Sequence, residues 1–118
     1  MDCAEREYIP VIKERLGCSE PQDLDLGFMK VMPDLMCGGV PTEVECAGRV
    51  HLGIGQALAY KYAWGTAALV VVAHEVPQSL RQFLEWATQV LDLRIYIYTG
   101  GVVTPLNARK PPSPPRTW

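Results

Sequence analysis

Residues 67–73 read Ala67-Ala68-Leu69-Val70-Val71-Val72-Ala73, seven apolar residues in a row with no polar alternation. A strand with one wet face alternates apolar and polar side chains. One that does not is buried on both faces, in the middle of a sheet covered by helices. Residues 52–64 just before it read as a helix stopped by Gly65. Just after it, Leu80, Phe83, Leu84, Ala87, Val90 and Leu91 fall at i, i+3, i+4, i+7 spacing, which predicts an amphipathic helix over 78–91. Residues 93–98 then alternate Leu93, Ile95 and Ile97 with Arg94, Tyr96 and Tyr98, a half-exposed strand near a sheet edge.

Upstream, two short strands are expected. Residues 26–32 carry Phe28, Val31 and Met32. Residues 41–47 carry Val44 and Cys46 on one face and Glu43 and Glu45 on the other, with Gly38-Gly39 between the two stretches as a turn signal for an antiparallel hairpin. Residues 4–16 read as a helix through Tyr8, Ile12 and Leu16, stopped by Gly17, with Pro10 forcing a late start or a kink. The order helix, strand, strand, helix, strand, helix, strand makes an α/β (α+β) domain with a central mixed sheet. One domain is expected over 1–106, followed by a proline-rich basic tail over 107–118 that cannot join a sheet.

A chain of 118 residues, 48% hydrophobic and 20% charged, is long enough to bury a core without staples. Its 11 basic and 13 acidic residues give a formal charge of −2, which excludes a protein that coats nucleic acid by bulk positive charge. A local basic patch from Arg94, Arg109, Lys110 and Arg116 stays compatible with that balance. The N-terminus has no apolar signal core and no run is long enough to span a membrane, so a soluble, cytoplasmic protein is expected. Cys3, Cys18, Cys37 and Cys46 form no C-x-x-C pair. Reduced thiols packed as small hydrophobes are the favoured reading, with intracellular disulfides left open.

The chemistry concentrates between residues 33 and 60. Asp34 ends the first hairpin arm, and Glu43 and Glu45 share one face of the second. Carboxylates gathered in this way make a hard-oxygen site suited to Mg2+ or Mn2+. Gln56 and Tyr60, four apart, leave one side of the following helix, where an amide and a phenol can position a phosphate backbone or a metal-bound water.

Pro33-Asp34, Glu43-Val44-Glu45 and the span from Gln56 to Tyr60 together resemble the PD-(D/E)xK nuclease superfamily, in particular its RecB-like branch with its QxxxY motif. The order of elements over residues 4–73 is similar to that family's restriction-endonuclease-like core. The resemblance implies a metal-dependent nuclease acting on DNA, with Asp34, Glu43 and Glu45 as ligands to Mg2+ or Mn2+ and Gln56 and Tyr60 supporting them. A homodimer would present two such sites to two strands. It also implies that a glutamate of the first helix can join the metal, for which Glu7 is the choice. The family's lysine is replaced by Glu45. Of the cations that could stand in for it, Arg49 and His51 rank above Lys61, which turns away from the Gln56 and Tyr60 face, and Lys30, too far along its strand.

Plainer readings stand beside these. Asp34 alone is a turn residue, and Glu43 and Glu45 alone are the solvated face of an edge strand. His51 and His74 are capping or surface residues, and Glu7 and Glu14 face solvent. Arg94, Tyr96 and Tyr98 make a base-stacking stripe, a wet edge strand or a dimer interface. The missing lysine and the acidic balance favour a second function: a catalytically inactive nuclease-fold protein that binds nucleic acid or another protein.

Overall fold

The computed structural model describes residues 3–106; the basic tail over 107–118 lies outside the described residues. A short 3-10 turn, Glu5–Glu7, leads into α1, Ile9–Leu16. Pro10 therefore sits in the first turn of the α-helix, where its missing N–H costs nothing, and the helix starts late instead of kinking. The chain continues through β1 (Cys18–Ser19), β2 (Leu24–Asp25), β3 (Lys30–Val31), β4 (Leu35–Cys37) and β5 (Val40–Cys46). Then follow α2 (Val50–Trp64), β6 (Ala68–Val72), α3 (Gln78–Leu91), β7 (Arg94–Thr99) and β8 (Val102–Leu106).

Six strands form one mixed sheet in the order β1-β4-β5-β6-β7-β8; β2 and β3 pair separately. β5, β6 and β7 are parallel neighbours, linked by α2 and α3, and the outer pairings are antiparallel. The unalternating strand is the centre of this sheet: Leu69, Val70 and Val71 are fully buried. Its two faces carry different layers. Val70 and Val72 pack with Ile12, Leu35 and Val44 beneath α1. Leu69 and Val71 pack with Ile54, Ala57 and Tyr60 of α2 and Leu84 and Ala87 of α3. The sheet is thus flanked by helices on both sides.

The expected hairpin forms with a different first arm. Gly38 and Gly39 have φ of 60° and 80°, the left-handed pair that a two-residue turn requires, so the arms must abut them directly. They are Leu35–Cys37 and Val40–Cys46, with Cys37 opposite Val40. Pro33, lacking an N–H, separates this arm from the expected stretch 26–32, and Lys30 and Val31 pair instead with Asp25 and Leu24. Asp34 consequently precedes its strand and does not end it.

Residues 94–99 form the expected half-exposed strand near the sheet edge, one place in from it. Gly100 and Gly101, φ 58° and 80°, repeat the same turn and return β8 against β7. Pro105 masks that last strand in the sequence; proline is tolerated there because β8 is at the edge. Tyr96 and Tyr98 face α1, with the Tyr98 ring edge-on to Tyr8 at 5.6 Å between centroids, so the base-stacking stripe is largely packed away.

The cysteines are not free thiols. Cys3 is bridged to Cys46 and Cys18 to Cys37. The second bridge joins directly paired residues of β1 and β4. No helix of the described residues is long and apolar enough to cross a membrane.

Candidate functional site

Strand alternation places Glu43 and Glu45 on the α2 side of the sheet, opposite Leu69 and Val71 of β6. Because β5 is an inner strand, neither is solvated: Glu43 is 4% exposed and Glu45 2%. The edge-strand reading of these two residues is therefore corrected. A buried carboxylate without a cation costs several kcal/mol, on the order of the effective penalty for burying an ion, so each must be accounted for.

Asp34 accepts a hydrogen bond from the Val44 backbone N–H at 2.8 Å, which anchors it across the hairpin. Tyr60 Oη donates to Glu43 Oε1 at 2.5 Å, the contact expected of a phenol leaving α2 toward β5. Glu45 Oε2 accepts from the Cys46 N–H at 3.2 Å. Burial pushes the Asp34 carboxyl up, and the Val44 N–H only partly offsets it. Burial pushes Glu43 to about 8, against the lowering effect of the Tyr60 hydrogen bond, with the nearby charges of Asp34, Glu45 and Glu5 raising it further. Glu45 is also raised, by burial first and then by hydrogen-bonded contact with the Glu5 carboxyl. The Tyr60 phenol, desolvated and beside Glu43, is pushed far up and stays protonated as a donor.

Four carboxyl groups, Glu5, Asp34, Glu43 and Glu45, thus share one neighbourhood. Glu5 is the residue the sequence reading missed. Glu7 was the choice from this segment, but the 3-10 turn that Pro10 leaves upstream of α1 rotates Glu5 onto Glu45. A helix beginning at residue 4 would have given a different face. The start position forced by Pro10 was the available signal.

Among the described residues the cation paired with the cluster is Arg49, with Nε 3.9 Å from Glu45 Oε2 and a side chain 66% exposed. Lys61 is committed elsewhere, donating to the Asp92 backbone oxygen and pairing with its carboxylate. Lys30 lies opposite Asp25 in the small sheet, and His51 is exposed in the first turn of α2. Gln56 is exposed one helical turn before Tyr60. The chain brings Asp34, Glu43, Glu45 and Tyr60 together; it leaves Gln56 at the rim.

As the side chains stand, no group of three or more His, Cys, Asp or Glu among the described residues is arranged to hold a metal ion. The carboxyls contact one another, Glu43 with Asp34 and Glu45 with Glu5.

Helix α2 approaches β5 closely enough to fix this geometry. A Cβ on Gly53 would lie 2.8 Å from Glu45 Cβ and 3.0 Å from a Leu69 methyl. Glu45 Cβ is tied to the strand backbone, so the helix would have to move. Alanine gains about 1 kcal/mol of helix propensity but pays an overpacking cost of about 1–3 kcal/mol. Gly53→Ala is expected to lower stability by about 1 kcal/mol, read as the denaturant midpoint; a gain in midpoint would show that α2 has room.

Comparison with known proteins gives limited likeness. No family model matches the chain, and no solved structure matches it. It is 37% identical over 68 residues to alcohol dehydrogenase 2 of Zea mays, covering 55% of this chain and 18% of that enzyme. It is 34% identical over 65 residues to alcohol dehydrogenase 1 of Cenchrus americanus, covering 52% and 17%. It is 36% identical over 64 residues to alcohol dehydrogenase 1 of Hordeum vulgare, again covering 52% and 17%. The chain spans less than a fifth of the length of these curated relatives.

Proposed function

We propose that this protein is a metal-dependent nuclease of the PD-(D/E)xK type that hydrolyses DNA phosphodiester bonds. The observation that carries the reading is the gathering at one hairpin of buried Glu43 and Glu45 with half-buried Asp34, supported by Tyr60. A hairpin flanked by helices, followed by a helix and a buried central strand, accords with a restriction-endonuclease-like core.

By donor chemistry, though not by the present arrangement of the side chains, the set suits a hard divalent cation. All the donors are carboxylate oxygens, and one partly exposed guanidinium is too little positive charge to neutralise them. Asp34, Glu43 and Glu45 would hold Mg2+ or Mn2+, with Glu5 within reach as a further oxygen donor. A bound divalent ion supplies a lower pKa for an attacking water and screens the phosphate charge. Tyr60 holds Glu43 in place through its O–H, and the Val44 N–H holds Asp34. Arg49, beside Glu45, would take the place of the family's lysine. Gln56, exposed at the rim one turn earlier, orients the backbone.

With Mn2+, linear or nicked DNA should be cut, and Glu43→Ala should reduce the rate by more than the roughly 10–100-fold typical of losing an outer partner. Cleavage unchanged by that substitution would sink the assignment. A non-catalytic nuclease-fold module is favoured by one observation, the glutamate at the lysine position; Mn2+ binding without cleavage would select it.

An oxidoreductase reading has less support. A dinucleotide-binding turn places G-x-G-x-x-G where strand passes into helix. Here Gly53-Ile54-Gly55 lies inside α2, Leu58 stands where the third glycine would be, and Gly53 is used against Glu45.

A further inference from the structure

The two disulfides differ in what they hold and in what can reach them. Cys18 and Cys37 are half-buried, paired across β1 and β4, and packed beside α1 residues. Cys3 is exposed, and Cys46 is 5% exposed. Both line a cleft of about 570 Å3, with Tyr8, Gly48, His74 and Tyr98 among its walls. The cleft lies beyond the C-terminal ends of β5, β6 and β7, the end of a parallel sheet where small molecules generally enter. Its volume suits a small organic ligand.

The segment tied by this bridge has little else to hold it. Glu5–Glu7 contains no buried residue. Its Glu5 side chain meets Glu45 of β5 and lies near Asp34 and Glu43. Cys46 directly follows Glu45 and donates its N–H to that carboxylate. The covalent link therefore ties an exposed segment to β5, whereas Cys18–Cys37 reinforces pairing that the ladder already makes.

We propose that Cys3–Cys46 is a thiol-exchange site, open to a small thiol or dithiol through the cleft, whose reduction releases the Glu5 segment from the carboxylate cluster. An entering thiolate attacks the exposed Cys3 Sγ, forming a mixed disulfide. The Cys3–Cys46 bond breaks, and its electron pair leaves on Cys46 Sγ, which takes up a proton. A second thiol attacks the mixed disulfide, leaving Cys3 as a thiol and the reagent as its disulfide. Two electrons pass to the protein, and the thiol reagent is oxidised. The exchange stands without any metal; its consequence for metal affinity rests on the carboxylate reading above.

The test uses the full chain, dithiothreitol and glutathione at pH 8, alkylation of released thiols and peptide mapping. Cys3 and Cys46 are expected to be alkylated at least about tenfold faster than Cys18 and Cys37. Amide exchange should rise across residues 3–8 while β5 and β6 stay protected. Simultaneous reduction of both bridges, earlier reduction of Cys18–Cys37, or unchanged exchange over residues 3–8 would overturn the proposal. A second arm titrates Mn2+ into the oxidised protein and into Cys3→Ser. Affinity about tenfold weaker in Cys3→Ser supports the coupling to the cluster, and equal affinity overturns it. Selective exchange with no Mn2+ binding in either form upholds the thiol site and removes the metal reading.

Discussion

Glu43→Gln is expected to raise the stability of the metal-free protein at pH 8 and to abolish its stabilisation by Mn2+. The two effects have opposite signs because the same carboxylate is a burden without a cation and a ligand with one. Glu43 is 4% exposed, and its pKa is raised to about 8, mainly by burial. A carboxyl whose folded pKa exceeds its unfolded value binds its proton more tightly when folded. Between pH 4.5 and 8 the native state then holds more protons than the unfolded state, and stability falls as pH rises. At about 1.4 kcal/mol per unit, the loss between pH 5 and pH 8 is on the order of 3 kcal/mol. Glutamine keeps an oxygen to accept from Tyr60 Oη and removes the charge, so the variant should lose the Glu43 share of this slope and keep the smaller share from Glu45, whose pKa is raised to about 7. Thermal melts at pH 5, 6.5 and 8, with and without Mn2+, read both effects. A wild-type protein equally stable at pH 5 and pH 8 would show that Glu43 stays hydrated.

Loss of the Cys18–Cys37 bridge should be the largest purely structural effect. The two cysteines are 19 residues apart, and closing a loop of that size in the unfolded chain is worth about 3 kcal/mol. For a domain of this length that corresponds to a fall in Tm of roughly 10 °C or more. Cys18→Ala/Cys37→Ala, with Cys3–Cys46 intact, is the variant to melt. The Cys3–Cys46 bridge closes a longer span, 43 residues, and by loop entropy alone would count for more, about 4 kcal/mol. Its removal should nevertheless cost less, because the freed Glu5–Glu7 segment buries nothing and regains its own entropy. A larger loss from Cys3→Ser than from the Cys18/Cys37 pair would show that the N-terminal segment is integral to the fold.

The strongest periodicities carried over into the fold unchanged. Residues 78–91 are α3 at those boundaries, and the unalternating run at 67–73 is the buried central strand, because both patterns record how many faces of an element meet the core. The hairpin turn was also legible in Gly38-Gly39. Its first arm was not, because a three-residue strand, Leu35–Cys37, is too short to show alternation. The same Gly-Gly signal at 100–101 precedes a last strand, Val102–Leu106, that carries Pro105 and no clear alternation.

Local pattern alone determined the sheet-and-helix class of this chain and which residues, Asp34, Glu43, Glu45 and Tyr60, belong near one hairpin and one helix. Side-chain direction within an element follows from its period, so neighbours on one element can be read from spacing. The tertiary structure decided the rest: that the glutamates are buried, that Glu5 and not Glu7 meets them, and which cysteines pair. Those depend on contacts between segments as far apart in sequence as Cys3 and Cys46, and no local period encodes where distant segments meet.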